Sequence, residues 1–480
     1  MLPAMSHSDS TPRAARRASA GGMELHFFGA ADTVTGSRYL LRCGEQSVLV
    51  DCGLFQGFKV LRERNWAPFP ADPRSISAVI LTHAHLDHSG YLPLLVRSGF
   101  QGPIYCTHAT ADLCPILLMD SAALQEEDAE RANRRRYTRH SPALPLYTSR
   151  DATLACRRLH PMDWHQAFDA GPFMASFRPA GHILGAASVR IEGGGTSVLF
   201  SGDLGRQGDL IMKAPQVPPA ADHVVIESTY GNRIHDKADA QEVLGDAIRR
   251  TAKRGGVVLI PSFAVGRAQD VLYRIHLLKR AGTIPRDLPV FLNSPMATDV
   301  TEVYGRHGDD HRLSEKQVTA MCKAATIVGS SSDSKELNRR RMPMVIIAGS
   351  GMATGGRILH HLVAFADDPR NTLIFPGFQA GGTRGAAIVG GARSVRIFGQ
   401  DVDVNAEVVS FDGLSAHADA DELMRWLGQM PAPPKSVFVT HGEPSAADTL
   451  RARIRHELGW AAQVPEHLSS HTLGRPASEG

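Results

Sequence analysis

Nothing in this 480-residue chain approaches the ~20 consecutive apolar residues of a membrane span, which excludes a helical membrane protein. Cysteine is scarce: the six thiols, Cys43, Cys52, Cys106, Cys114, Cys156 and Cys322, form no Cys-x-x-Cys pair. Neither a disulfide framework nor a thiolate zinc site is expected from that spacing, and a reducing, cytoplasmic compartment is. A dominant charge is missing too. Lys and Arg total 52 against 49 Asp and Glu, and the net charge of +3 is too small to identify a polyanionic partner. The basic groups are nevertheless clustered, as Arg134-Arg135-Arg136 with Arg139 and as Arg339-Arg340-Arg341. Such runs can border a phosphate track, although solvated helix faces and loop tips explain most of them, and no aromatic residue interleaves with the second. Residues 1–22 contain one acid, Asp9, and no apolar signal core, so they are read as a disordered leader, and residues 468–480 as a disordered tail.

What the chain does have is histidine and aspartate set at the ends of apolar runs. His83-Ala84-His85-Leu86-Asp87-His88 places three imidazoles and a carboxylate in six positions, directly after Ala78-Val79-Ile80-Leu81-Thr82. Imidazole nitrogen and carboxylate oxygen suit zinc and neighbouring divalent metals. With His182, Asp203 and His441 added, the donors number seven. That is too many for one four-coordinate ion and right for two ions sharing a bridging carboxylate. Set on turns, His83 and His85 can face one ion while Asp87 and His88 face the other. Alone, His182 would read as a turn residue between glycines; its weight comes from its companions. In a chain with 22 histidines some are incidental, and His307, His311 and the pair His360-His361 are expected to be solvated or helix-surface residues without a metal role.

Length argues for two domains. From Met23 onward short apolar runs alternate with helical patterns, and chemistry follows each run. Val48-Leu49-Val50 leads to Asp51, Val198-Leu199-Phe200 to Ser201-Gly202-Asp203, Val224-Val225-Ile226 to Glu227, and Val437-Phe438-Val439 to Thr440-His441. Strands this apolar are buried on both faces, and in α/β layers ligands gather beyond their carboxyl ends, so one rim is expected to hold all of these groups. Residues 228–398 have their own strand–helix rhythm. Two glycine-bearing turns follow strands there, Pro261-Ser262-Phe263-Ala264-Val265-Gly266-Arg267 and Gly349-Ser350-Gly351-Met352-Ala353-Thr354-Gly355-Gly356-Arg357. Neither has dinucleotide or Walker spacing, yet such turns can offer backbone N–H groups to phosphate. The metal-site rhythm then resumes with His417 and His441, which makes the middle segment an insertion. Asp419-Ala420-Asp421-Glu422 reads as a capping box opening a helix with Leu423, Trp426, Leu427 and Met430 on its apolar face, just after His417.

Between Met23 and about His467 the ordered motifs resemble one family. They are Gly29 to Ser37 (Gly-Ala-Ala-Asp-Thr-Val-Thr-Gly-Ser), the histidine cluster, the Gly-His-Ile-Leu-Gly-Ala turn at 181–186, Ser-Gly-Asp at 201–203, Glu-Ser-Thr-Tyr-Gly-Asn at 227–232, the glycine turn ending at Arg357, Ser-Ala-His-Ala-Asp at 415–419 and Thr-His-Gly-Glu at 440–443. The chain is similar to metallo-β-lactamase-fold ribonucleases of the β-CASP group, the bacterial relatives of the cleavage and polyadenylation endonuclease.

That resemblance implies an α/β protein: an αββα sandwich in two parts, 23–227 and 399–467, with an α/β β-CASP domain at 228–398 inserted as a cap over the cleft. It implies two zinc ions, with manganese as the alternative. His83, His85 and His182 would hold one, Asp87, His88 and His441 the other, and Asp203 would bridge. Asp51 would orient the site from behind the ligands. His417 would protonate the leaving 3′-oxygen with Glu227 orienting it, and His441, in place of the valine typical of the DNA-acting branch, favours RNA. Contacts to RNA phosphate are expected from Ser350, Gly351, Thr354 and Arg357. A small-ester, thioester or β-lactam hydrolase, a DNA-acting nuclease and a non-catalytic RNA scaffold are the alternatives. No membrane partner is expected, and the oligomeric state is open, with a homodimer as one option. The chain carries neither the N-terminal extension of archaeal relatives nor the C-terminal domain of ribonuclease J-like proteins, so sequence preference is expected from the cleft or from a partner.

Overall fold

The computed structural model of the protein describes residues 22–136, 140–236 and 238–474. The leader expected at 1–22, save Gly22, lies outside them, as does Arg139. No helix among the described residues is long and apolar enough to cross a membrane.

Two seven-stranded sheets stack face to face. In the first, strand Met23–Phe27 pairs antiparallel with Tyr39–Cys43, which pairs with Gln46–Val50, and Gln46–Val50 runs parallel to Ile76–Ile80. In the second, Thr196–Phe200, His223–Glu227 and Ser436–Thr440 run parallel side by side. The apolar runs are continuous because each strand has two faces to bury. Val48, Val50, Ile80, Val198, Phe200 and Phe438 point into the core between the sheets. Leu49, Val79, Leu199, Val224 and Val439 point outward into a core shared with helices. Each such side chain contributes roughly 1.5–3 kcal/mol on burial. The outer helices include His108–Arg135 and Ala420–Gly428. The second opens on the expected capping box: Asp419 Oδ1 accepts from the Glu422 N–H at 2.9 Å, and Glu422 Oε2 accepts from the Asp419 N–H at 3.0 Å. Leu423, Trp426, Leu427 and Met430 are all buried.

The inserted unit has its own six-stranded parallel sheet, built from Val257–Pro261, Val290–Asn293, Thr326–Ile327, Met344–Ala348, Thr372–Phe375 and Glu407–Ser410. Helix Arg267–Ala281 buries Val271, Leu272, Ile275 and Leu278 against it.

Three expectations need correction. Glu407–Ser410 pairs with Thr372–Phe375 as the edge of the inserted sheet, so the insert reaches past the boundary set at 398. Residues 470–473, assigned to a disordered tail, form a strand antiparallel to Met23–His26, and Leu473 is buried in the core between the sheets. His311 and His361 are buried rather than solvated. His311 Nε2 lies 3.0 Å from the Tyr304 carbonyl oxygen, and His361 lies between Asn293 Nδ2 at 2.7 Å and Asn338 Oδ1 at 2.6 Å. Both rings satisfy local polar groups, and neither belongs to a metal-binding group among the described residues. His360 is exposed, as expected, and His307 lies half-buried, 2.8 Å from Asp112 Oδ2.

Candidate active site

The parallel registers place strand ends side by side. Val50 sits opposite Ile80 in one sheet, and Glu227 opposite Thr440 in the other. Asp51, His83, Asp203, Glu227 and His441 therefore emerge on one rim, and the short helix Leu86–Ser89 adds Asp87 and His88. The loop after strand Phe173–Pro179 brings His182 to the same place. Asp51 and His441 have φ of 58° and 51°, a left-handed conformation unusual for such residues and typical of functional turns.

The seven donors form two groups sharing Asp203. In the first, His85 Nδ1 lies 3.2 Å from both His83 Nε2 and His182 Nε2, and Asp203 Oδ2 lies 3.6 Å from each of those Nε2 atoms. In the second, His441 Nε2 lies 3.1 Å from His88 Nε2 and 3.4 Å from Asp87 Oδ2, and Asp203 Oδ1 lies 3.3 Å from His88 Nε2. A tetrahedral zinc with ligand bonds of about 2.0–2.1 Å spaces its donors about 3.3 Å apart. The residues present thus fit a divalent cation in each group. The buried Oδ1 of Asp203 also has no hydrogen-bond partner among the described residues. Burial, and after it the neighbouring imidazole of His88, holds His83 well below the ordinary histidine range; burial and then His417 do the same to His182. Neutral imidazole is the form that ligates metal. Burial resists ionisation of Asp203, but the imidazoles of His441, His88 and His83 outweigh it and hold the carboxyl well below its usual range.

Behind this layer, Asp51 is almost fully buried. Its Oδ1 accepts from the Thr82 N–H at 2.8 Å, and its Oδ2 accepts from the Thr82 hydroxyl at 2.9 Å and from His88 Nδ1–H at 2.7 Å. It thereby fixes the ring of His88 with Nε2 facing the other donors, the usual role of a carboxylate behind a ligand imidazole. Thr82 and Thr229, whose Oγ1 lies 3.1 Å from His441 Nδ1, are positioning residues missed in the sequence. For Thr82 the available signal was its place directly before His83; Thr229, in Glu227-Ser228-Thr229, had none of that kind.

Glu227 is buried, and its Oε1 accepts from the Leu204 N–H at 2.7 Å. Both of its carboxylate oxygens lie 3.2 Å from His417 Nδ1. Burial disfavours a charged His417, but Glu227 foremost, then Asp203 and Asp87, more than offset it and raise its pKa. The ring is thus oriented with Nδ1–H on Glu227, leaving Nε2 for the cleft. His235 is a further unforeseen neighbour: its Nε2 lies 2.9 Å from the carbonyl oxygen of His417.

The site opens into a cleft of about 1480 Å³ between the sandwich and the insert. Arg62, Arg131, Arg135, Lys335, Arg384 and Arg396 line it, while Arg339, Arg340 and Arg341 do not. Acids interrupt this wall. Burial pushes Asp120 up to about 6, with Glu127 adding to the rise and Arg357 opposing it. Ser350, Thr354 and Arg357 also line the cleft, but the glycine turn is closed on itself. Ser350 Oγ accepts from the N–H groups of Thr354 and Gly355 at 2.9 and 3.2 Å. The Arg357 guanidinium donates to Asn293 Oδ1 at 2.6 Å and to the carbonyls of Val328 and Gly329. Gly351 is buried under the Phe263 ring. These contacts hold the turn in shape and engage Ser350 Oγ and both terminal nitrogens of Arg357.

Comparison with known proteins agrees with this architecture. Residues 32–245 match the metallo-beta-lactamase superfamily, 268–388 the Beta-Casp domain, and 401–465 the Zn-dependent metallo-hydrolase RNA specificity domain. Ribonuclease TTHA0252 of Thermus thermophilus is 40% identical over 430 residues, covering 88% of this chain and 93% of that protein. The transcription termination factor FttA of Methanosarcina mazei is 33% identical over 454 residues, covering 90% of this chain and 68% of that protein. A solved structure of a protein of unknown function from Enterococcus faecalis V583 overlaps 94% of this chain and 100% of its own, at 12% identity and a TM-score of 0.50, and shares the fold alone. Domain order, sequence identity and coverage agree, and the chain belongs to the β-CASP ribonuclease family of the metallo-β-lactamase fold.

Proposed function

We propose that the protein is a metal-dependent ribonuclease that hydrolyses RNA phosphodiesters at the rim where Asp203 joins the two donor groups, and that it serves RNA processing or degradation. The observation that carries this reading is the pairing of that shared carboxylate with a Glu227–His417 dyad on the same cleft. His83, His85 and His182 would hold one cation, Asp87, His88 and His441 the second, with Asp203 between them. Two zinc ions are the expected complement, and manganese is the alternative. A cation pair there supplies Lewis acidity toward the phosphate and a hydroxide at neutral pH. Asp51 keeps His88 in register for this, and Glu227 keeps His417 Nδ1 protonated and its ring aimed. His417 Nε2 delivers a proton to the departing 3′-oxygen, leaving 5′-phosphate and 3′-hydroxyl ends. A cytoplasmic location goes with this substrate class.

Metal analysis combined with digestion of one long RNA, carrying either a 5′-triphosphate or a 5′-monophosphate, tests the reading and maps endonucleolytic against 5′-exonucleolytic cleavage. Chelation is expected to abolish cleavage, and zinc or manganese to restore it. The melting temperature should fall by several degrees on chelation, since a ligand present at a hundred times its Kd stabilises the native state by about 2.7 kcal/mol. Full activity in metal-free protein overturns the proposal.

The arginines and lysine of the cleft wall are expected to meet several phosphates. RNA affinity should therefore fall steeply with salt, by roughly 0.7 of a log unit per log unit of salt for each single-strand phosphate contacted. A flat salt profile in a filter-binding titration would contradict a backbone-reading cleft.

A further inference from the structure

Trp66 is 62% exposed, the most exposed tryptophan among the described residues. Nothing in the packing explains a large aromatic ring left in water. Its setting, however, is rigid. The neighbouring Asn65 is buried, and its side-chain amide brackets the backbone of Phe55: Oδ1 accepts from the Phe55 N–H at 2.9 Å, and Nδ2 donates to the Phe55 carbonyl at 2.8 Å. Asn65 Oδ1 also accepts from the buried Arg38 at 3.1 Å. At the other end of the turn, the Phe58 ring lies against Gly381 and Gly382 of the insert, where an added Cβ would fall within 2.7 Å of it. The ring of Trp66 is therefore presented on a turn anchored to both domains.

Trp66 lines the same cleft as His85, Asp87 and His441, and so does Arg62, which stands near the end of the short helix Lys59–Glu63 in the segment leading to it. Arg384 faces the cleft from the insert. Its Nε donates to the Arg396 carbonyl at 2.7 Å and its Nη1 to the Thr354 carbonyl at 3.1 Å, which fixes the guanidinium in place. Burial, and after it the like charge of Arg62, disfavours the proton on Arg384, with Asp128 opposing. The nearest acid on the turn, Glu63, lies 3.5 Å from Lys59. Two cations lining one cleft, with the charge of Arg62 felt at Arg384, suit a shared anion. An exposed indole lining the same cleft suits a flat apolar ring. A nucleotide of single-stranded RNA combines both.

We propose that Trp66 is a stacking platform for one nucleobase of the RNA strand, with an adjoining phosphate held between Arg62 and Arg384. This rests on the ribonuclease reading and adds a subsite to it. The site grips a strand without reading its sequence, because every base has a π-face, and it favours unpaired RNA, since a stacked duplex has no free base to offer.

The test uses metal-loaded protein and a single-stranded oligoribonucleotide. Trp66→Ala is expected to raise KM for RNA about tenfold, within the range for loss of one base–aromatic stack, and Trp66→Phe to recover most of it. In a His417→Ala background, which slows turnover, RNA should quench tryptophan emission, and that quench should shrink when Trp66→Phe is added. An oligonucleotide with an abasic nucleotide at the contacted position should quench less. Equal KM in wild type, Trp66→Ala and Trp66→Phe overturns the proposal while leaving the ribonuclease reading intact. So does an RNA-induced quench that is the same with and without Trp66. Emission that changes with protein concentration and not with RNA also overturns it, and marks the patch as a contact between copies of this chain. If the metal-loaded wild type cleaves no RNA, the ribonuclease reading fails, and the fluorescence titration still decides the stacking site.

Discussion

Replacing Asp203 with alanine is expected to lower the content of both metals together and to cut kcat/KM on RNA by at least about 10³-fold. The reason is geometric. Asp203 Oδ2 lies 3.6 Å from His83 Nε2 and from His182 Nε2, and its Oδ1 lies 3.3 Å from His88 Nε2. One carboxylate thus supplies a donor to each group, and it is also the negative charge around which the imidazoles of His83, His88, His182, His417 and His441 are packed. Alanine removes both contributions at once. Loss of Asp87, which belongs to one group only, should deplete mainly one ion. Metal analysis on dialysed protein reads the difference directly. If Asp203→Ala retained two ions per chain, the bridging assignment would be wrong.

Replacing His417 with alanine should have the opposite signature: metal content near wild type, and cleavage of ordinary RNA slowed by about 10²–10⁴-fold, the range for a lost general acid. His417 meets Glu227 through Nδ1 and belongs to neither of the two four-residue donor groups; it clusters instead with Glu227 and Asp203, whose Oδ2 lies 3.9 Å from that nitrogen. A substrate with sulfur in place of the leaving 3′-oxygen needs no proton to depart. On that substrate the variant and wild type should converge. A uniform loss on both substrates, or departure of both ions, would remove His417 from the role of acid and make it a structural neighbour of the site. Glu227→Gln is a weaker probe of the same dyad, because Glu227 also accepts the Leu204 N–H beside Asp203 and its loss disturbs the bridge.

The rim was legible because its logic is one-dimensional. An apolar run buried on two faces ends where the chain leaves the sheet, and there stand Glu227 on the last strand residue, Asp51 and His441 directly after their strands, and His83 and Asp203 a short step beyond theirs. Parallel pairing did the rest, since strands in register end together. The capping box at Asp419 was legible for a similar reason, being a contact between residues close in sequence. What escaped the sequence depends on distant partners. Glu407–Ser410, assigned with 399–467 to the sandwich, alternates half-buried and exposed positions, and it is the edge of Thr372–Phe375 that draws it into the inserted sheet. Ser470–Leu473 is polar apart from its last residue and owes its order to Met23–His26. The glycine turn at 349–357 looked open because its glycines were visible, while the partners of Arg357 lie on segments 28 to 64 residues away. His361 shows the same thing: nothing near it in sequence announces the two asparagines that enclose its ring.

The pairing of Ser470–Leu473 with Met23–His26 also bears on how the sandwich closes. It joins segments from opposite ends of the described residues, and contacts so distant in sequence form slowly, because a long loop must be closed before they reward it. The flank of Met23–Phe27 is thus a late seam of the first sheet, sewn only once both segments have come together.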